Sequence, residues 1–429
     1  MLRFAYGALF TLALPLAVLR LWWRGRKEPG YRANIGERFG RFRQASTSGA
    51  IWVHAVSVGE VRAAVPLVRA LQDKFAGAPL LLTCMTPAGR AMAGTLFGDD
   101  ATVTLAYLPY DLPWLTRRLL LHFEPRILLI METEIWFNLV HTCCVQQLPV
   151  LLVNARLSER SRAAYARLTP IRNLTRETLA SMAVIAAQSA ADATRFASLG
   201  ARKVVVTGNM KFDMPVDGAL ASRGAAWRAA LAGKRQVLLL AATRDSEEAM
   251  LLAAYRQSFD ESTRARILLV IVPRHPQRFD EVFSRAGSSG FRVARRSEIT
   301  GSLDGIEVWL GDSMGEMAAY YAMCDVAIIG GSFAPLGGQN LIEAAALGRP
   351  TIIGPHVFNF SDAVKLASEA GALQQVTDAD DAMRIACVLL ADGAKRKMMS
   401  AAALAFTELH RGATGKTMGL ITSVMSPTS

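Results

Sequence analysis

Residues 51–71, IWVHAVSVGEVRAAVPLVRAL, decide the fold. An apolar, strand-like run stops at Ser57-Val58-Gly59-Glu60, and Val61, Ala64, Val65, Val68 and Leu71 then recur at helical spacing. A buried strand feeding an amphipathic helix is the building unit of a parallel α/β sheet. Pro66, inside the helical pattern, is expected to bend or delay that helix. The Ser57-x-x-Glu60 spacing fits a capping box. It also puts a carboxylate just past a strand end, where α/β enzymes keep their chemistry. Glu60 is therefore read either as a cap or as a catalytic base. A helix N-terminus favours the ionised carboxylate, which would hold Glu60 rigidly but weaken it as a base.

The same alternation continues in both directions. Strands are predicted at 51–56, 80–84, 102–105, 127–131, 150–153, 184–187 and 204–207. After Gly208 the segment GNMKFDMPVDGALASRGAAW loses its period and reads as a linker. Strands resume at 237–241, 267–272, 290–293, 307–310, 326–329 and 351–353. Continuous apolar strands separated by helices imply parallel sheets covered on both faces. The organisation predicted is a membrane anchor at 1–25, a domain at 26–212, a linker at 213–226 and a second domain at 227–429. The fold class is α/β, two Rossmann-like, doubly wound domains facing each other across a cleft.

The 429 residues are 52% apolar, which excludes disorder, and 48 basic against 36 acidic residues leave +12. Half of that excess lies in one segment, where Arg20, Arg24, Arg26, Lys27, Arg32, Arg38, Arg41 and Arg43 outnumber Glu28 and Glu37. Directly before it runs FAYGALFTLALPLAVLRLWW, residues 4–23, with Arg20 its only charge. About 20 apolar residues cross a bilayer core. Trp22 and Trp23 suit the interfacial belt, and the flanking cations predict a cytoplasmic remainder. No small-x-small cleavage site precedes the basic segment, which argues against a cleaved signal peptide. Pro15 and Arg20 keep open the alternative of an amphipathic helix lying on the surface. In either case the basic segment is expected against anionic lipid. Nucleic acid is disfavoured, because the cluster abuts the apolar run and has few stacking aromatics, Tyr31, Phe39 and Phe42. The five cysteines form no C-x-x-C pair and the six histidines are scattered, so neither a metal nor a cofactor is expected.

Ligands in open α/β sheets gather beyond the carboxyl ends of strands. Besides Glu60, three junctions there carry polar groups. Pro273-Arg274-His275-Pro276 ends one strand, and Arg274 offers a planar fork for phosphate or carboxylate. Gly311-Asp312-Ser313 ends another. There Met314-Gly315-Glu316 reads as a helix start, Ser313 and Glu316 have capping-box spacing, and Gly315 points to a close backbone approach. The third is Gly330-Gly331-Ser332-Phe333, followed by Gly337-Gly338 and a helix start at Gln339-Asn340, with Glu343 in its first turn. Its amides suit a phosphate. Each junction has a structural alternative: an ion pair, a cap, or a glycine turn.

Taken in order, GYRANIGERFGRF, HAVSVGE, TPAGR, METEIWFNL, NARLSERS, GNMKFD, PRHPQRF, GDSMGEM and GGSFAPLGGQNLIEAAALG resemble the 3-deoxy-D-manno-octulosonic acid (Kdo) transferase family of lipopolysaccharide biosynthesis, over nearly the whole chain. The resemblance implies a GT-B glycosyltransferase with an acceptor-binding N-terminal domain and a nucleotide-binding C-terminal domain. It makes Glu60 the general base. It assigns nucleotide contacts to Pro273, Arg274, Met314, Gly315, Glu316, Asn340, Leu341, Ile342 and Glu343. It implies CMP-Kdo as donor and a lipid A precursor, lipid IVA, as acceptor at the cytoplasmic face of the inner membrane, with inversion. Gln339, Ala344, Phe137, Arg244 and Ser246 depart from the family pattern; the changes at 244 and 339 remove two histidines and bear on acceptor details and on the number of sugars transferred. Glu132 and Glu134 form a second carboxylate pair, read as acceptor-site or structural residues, and His54 reads as a strand residue. Two other readings remain: a GT-B enzyme using a UDP- or GDP-sugar, and a non-catalytic protein that binds anionic lipid.

Overall fold

The computed structural model describes residues 2–26, 28–231, 235–298 and 302–426. Lys27 of the basic segment, Met1 of the expected anchor and the tail at 427–429 lie outside them. The chain divides into two units, Met1–Met214 with Arg411–Ser429, and Pro215–His410.

The first unit is built on β1 (Ile51–His54), β2 (Leu80–Cys84), β3 (Val103–Tyr107), β4 (Ile127–Met131), β5 (Val150–Ala155), β6 (Val184–Ala187) and β7 (Val204–Val206). Its strand order is β3-β2-β1-β4-β5-β6-β7, with every pairing parallel. Alternation decides which face each residue covers. Ile51, Val53, Leu80, Leu82, Ile127, Leu129 and Met131 pack on one side. Trp52, Leu81, Leu128 and Ile130 pack on the other. Apolar residues on both faces are why these strands read as unbroken runs. Helix α2 (Val58–Lys74) lays Val61, Ala64, Leu67, Val68 and Leu71 onto the first face. It runs through Pro66 without interruption, so the helix is not delayed to that residue.

The second unit holds β8 (Gln236–Thr243), β9 (Ile267–Pro273), β10 (Val293–Arg295), β11 (Val308–Leu310), β12 (Val326–Ile329), β13 (Thr351–Ile353) and β14 (Leu373–Gln375). Their order, β10-β11-β9-β8-β12-β13-β14, is again wholly parallel. Strand β14 was not anticipated. It has three residues, of which only Leu373 is buried, so it lacks the apolar run that marks the others.

Two boundaries differ from the reading of the sequence. Much of the expected linker, 213–226, belongs to the helix Gly218–Ala230, capped by Asp217, whose carboxylate accepts from the amides of Ala219 and Leu220. Its glycines suggested flexibility, but Gly224 is a packing residue. A Cβ there would stand 2.1 Å from the Ala319 carbonyl oxygen. The second domain was expected to run to residue 429, yet 411–429 groups with the first unit. Ala413 and Ile421 of the helix Ala413–Met425 join the core under α2. Asp213 ties that helix down, accepting from the Gly412 and Thr414 amides at 2.6 Å each.

Helix α1 (Leu2–Arg24) is long and apolar enough to cross a membrane, by length and composition. One stripe of it rests on the first unit, where Phe10, Leu14, Ala17 and Leu21 pack against Tyr110, Leu112 and Leu115. The basic segment after it divides. Arg20, Arg24, Arg26, Arg32, Arg41 and Arg43 are exposed, but Arg38 is buried. It lies over the Tyr107 ring and donates to the Met85 carbonyl, so it does not face lipid as expected.

Candidate active site

In the first unit the strand order reverses between β1 and β4, and ligands of open α/β sheets collect at such a switch point. The segments leaving those two strands carry Glu60 and the pair Glu132 and Glu134. Ser57 caps α2, its hydroxyl accepting from the Glu60 amide at 3.5 Å. The Glu60 side chain folds back and Oε2 accepts from the Val56 amide at 2.7 Å. Its Oε1 is met by the Ser57 hydroxyl at 3.4 Å. The residue thus completes the cap and keeps one oxygen weakly engaged.

The strand end that holds Glu60 is braced. The Val56 carbonyl accepts from the amides of Met85 and Thr86 and from the Thr86 hydroxyl. Thr86 caps the following helix through the Gly89 amide, and a Cβ at Gly89 would come within 3.1 Å of the Val56 oxygen. Burial pushes the Glu60 carboxyl up to about 8. The Val56 amide opposes this, Glu132 and Glu134 add to it, and Lys211 opposes it. The weakening expected from the helix N-terminus is therefore outweighed, because desolvation of a nearly buried carboxylate costs more than the cap returns.

Glu132 sits just past β4 with φ 56°, in the left-handed region that costs a non-glycine residue roughly 1–2 kcal/mol. Its amide donates to Val153 and its carbonyl accepts from Arg156, which fixes that geometry. Its carboxylate pairs with Lys211 Nζ at 2.9 Å. Lys211 is delivered by the turn Met210–Asp213, held by Asn154 through the Met210 amide at 3.0 Å. Burial raises the Glu134 carboxyl, opposed by a hydrogen bond with Trp136. The segments HAVSVGE, TPAGR, METEIW, NARLSERS and GNMKFD thus converge on one place. Lys211 stands in the GNMKFD segment, where nothing local in the sequence assigns it a partner. His54 is a buried strand residue, as read. Its Nδ1 lies 2.9 Å from the Thr83 hydroxyl, and burial pushes its imidazole down to about 4 despite the Thr83 carbonyl.

In the second unit the switch point falls between β8 and β12, and the three other junctions follow β9, β11 and β12 along the same sheet edge. The Arg274 amide donates to the Thr243 carbonyl, tying the end of β9 to that of β8. Below it Arg278 is buried in a bidentate pair with Glu248, at 2.7 and 3.0 Å. Met314 is exposed, and Gly315 precedes the helix rather than lying in it. That helix, Met317–Met323, starts later than expected, and its first residues have no side-chain cap. The Ser313 hydroxyl bonds the Glu316 carboxylate instead of its amide. Gly315 is required because φ is 84°, and nothing stands within 4 Å of where its Cβ would be. Burial acts to raise the Glu316 carboxyl, but Ser313, Arg223 and Arg296 outweigh it and hold it below the usual range.

The glycine loop after β12 differs from expectation in one respect. The Gly338 and Gln339 amides donate to the carbonyls of Gly331 and Gly330, so they are committed to the turn rather than presented to a ligand. The helix begins at Ile342, whose amide donates to Asn340 Oδ1 at 3.1 Å. A residue that sequence reasoning missed organises this loop. Glu247, fully buried at the start of the helix after β8, accepts from Gly331 at 2.6 Å, Phe333 at 2.9 Å and Arg244 at 2.8 Å. The signal was the Glu247-Glu248 pair at a strand–helix junction. Among the described residues, no group of three His, Cys, Asp or Glu side chains is placed to hold a metal ion.

Residues 33–214 match the family model described as 3-deoxy-D-manno-octulosonic-acid transferase (kdotransferase). A 3-deoxy-D-manno-octulosonic acid transferase of Bordetella pertussis is 44% identical over 95% of this chain and 97% of its own. The chain belongs to the Kdo transferase family. Its members are glycosyltransferases, and so is this protein. The Kdo transferase of Haemophilus influenzae is 33% identical over 98% of both chains. The solved UDP-GlcNAc 2-epimerase of Neisseria meningitidis shares the fold at TM-score 0.60 and 14% identity, covering 87% of this chain and 100% of its own. For a Kdo transferase, the arrangement of polar groups divides by unit: a raised carboxyl with two carboxylate neighbours in the first, and a glycine-turned sheet edge with Arg274 and Glu316 in the second.

Proposed function

We propose that this protein transfers Kdo from CMP-Kdo to a lipid A precursor, lipid IVA, in lipopolysaccharide biosynthesis, with inversion at the anomeric carbon. Glu60 is the general base. Its carboxylate takes the proton of the acceptor hydroxyl as that oxygen bonds the anomeric carbon of Kdo, and the bond to the CMP phosphate breaks on the opposite face. One base with in-line displacement gives inversion. The observation that carries this reading is the Glu60 carboxyl itself, held by Ser57 and Val56 and poised near 8, where a base is strong enough to accept a hydroxyl proton.

The donor nucleotide is taken by Pro273, Arg274, Met314, Gly315, Glu316, Asn340, Leu341, Ile342 and Glu343. The departing phosphate is steadied by the Arg274 guanidinium, and the open backbone at Gly315 lets the ligand approach closely. The protein works at the cytoplasmic face of the inner membrane, attached through its N-terminal helix and the exposed arginines that follow.

Incubation of the purified protein with CMP-Kdo and lipid IVA should give a product heavier by whole Kdo residues, with inverted anomeric configuration by NMR. Excess CMP should inhibit, and UDP- and GDP-sugars should not serve as donors. Glu60→Gln should lower turnover by about 10²–10⁴-fold while CMP binding persists. A Gln variant that transfers Kdo at the parent rate would reduce Glu60 to a helix cap.

A further inference from the structure

Helix α1 meets the first unit along its whole length, not at one end. Arg3 pairs with Glu177 at 3.0 Å in the first turn. The Tyr6 hydroxyl donates to the buried Asp111 carboxylate at 2.9 Å, and its ring stands edge-on to Phe137 at 5.3 Å. At the far end the Trp22 carbonyl accepts from the Arg32 guanidinium at 2.9 Å. Asp111 is not a loose partner, since it also accepts from the Asn138 and Leu139 amides at the start of the helix Phe137–Val145.

The opposite stripe, Leu9, Leu12, Leu16, Leu19 and Trp23, repeats at three- and four-residue steps and is exposed throughout. At 1.5 Å per residue α1 is about 35 Å long. Crossing a hydrocarbon core of about 30 Å in the docked state would drag Glu177, Asp111 and Tyr110 into lipid. Crossing it undocked would leave Tyr6 and Asp111 without each other.

We propose that α1 lies in the plane of the membrane interface, docked on the first unit, with the Leu9–Leu12–Leu16–Leu19–Trp23 stripe immersed in the lipid of an anionic bilayer. This rests on the membrane attachment proposed above. The partner is a lipid surface because the apolar stripe runs, at the C-terminal end of the helix, into the exposed cations Arg20 and Arg24 and, just past it, Arg26, which an anionic headgroup layer would take up. The helix Pro113–Phe123, whose Leu115 packs in the same cluster as α1, exposes Trp114 and Leu121 together with Arg117 and Arg118.

The test uses the full-length chain with Cys144→Ser and Cys387→Ser, and a single fluorophore on Phe4→Cys, Leu12→Cys or Trp23→Cys. The protein is bound to phosphatidylethanolamine–phosphatidylglycerol vesicles carrying nitroxide lipids at graded depths. An in-plane helix puts the two stripe probes, at Leu12 and Trp23, at one depth, about 5–10 Å into the headgroup–acyl boundary, and leaves all three within reach of dithionite added outside. A Leu12 probe at the bilayer centre, with the Phe4 probe protected from external dithionite, would overturn the orientation and leave membrane attachment standing. Protein that remains in the supernatant, or that pairs with itself instead of binding vesicles, would overturn both. As a second measurement, a short bismaleimide bridge between Arg3→Cys and Glu177→Cys should leave vesicle binding intact. Loss of binding on bridging would show that the helix must leave the first unit to enter lipid.

Discussion

Glu60 has a raised carboxyl, and the direction of that shift makes two predictions. A base works only when deprotonated, so kcat/KM should climb with pH along a limb centred near 8, read from initial rates between pH 6 and 9.5. Lys211 opposes the shift, so Lys211→Met should move that limb to higher pH. Stability runs the other way. A group whose folded pKa lies above its unfolded value supports the fold fully below the usual carboxylate range and loses that support as pH rises through about 8. Glu60→Gln removes the charge without removing the acceptor for the Val56 amide. At pH 9 it should therefore raise unfolding stability by on the order of 2–4 kcal/mol, measured by urea denaturation, while turnover falls as predicted above. The position of Glu60 was legible from four consecutive residues. Its proton affinity was not, because that depends on burial and on Glu132 and Glu134, which only the sheet brings near. Glu247 escaped notice for the same reason. Its three partners, the amides of residues 244, 331 and 333, are mostly distant in sequence.

Strands written as continuous Val, Ile and Leu were readable because both faces of each sheet are covered, and β2, β4, β6, β12 and β13 fall where their apolar runs stand. The elements that were not legible are those built from small residues. The helix Gly218–Ala230 has Ala and Gly where an amphipathic pattern would have Leu, because it packs closely on the helix Met317–Met323. Gly224→Val should therefore destabilise the protein by at least about 1–3 kcal/mol, as overpacking does, seen as a lower midpoint in urea. At Gly218, where no atom lies within 4 Å of a Cβ, alanine should have little effect. The contrast separates close packing from a merely flexible joint.

At the scale of the molecule, the division into two parallel-sheet units was visible in the sequence, but the chain's return to the first unit was not. Nothing in the composition of 411–429 says which core it covers. Its apolar residues Ala413 and Ile421 pack into the same cluster as Val61, Ala64 and Leu67 of α2, the helix whose first turn holds Glu60. Deleting 411–429 should expose that core and destabilise the first unit, with limited proteolysis cutting first within 58–74, while CMP binding by the second unit is retained. The same arrangement sets a schedule for synthesis. Because chains emerge from the ribosome at about 5–20 residues per second, the segment bearing Glu60 waits tens of seconds, uncovered on one side, for the helix Ala413–Met425 to appear. A nascent chain stalled before residue 411 holds a finished sheet in the second unit but lacks the helix that closes the core under α2, so the first unit is completed only after the second has been made.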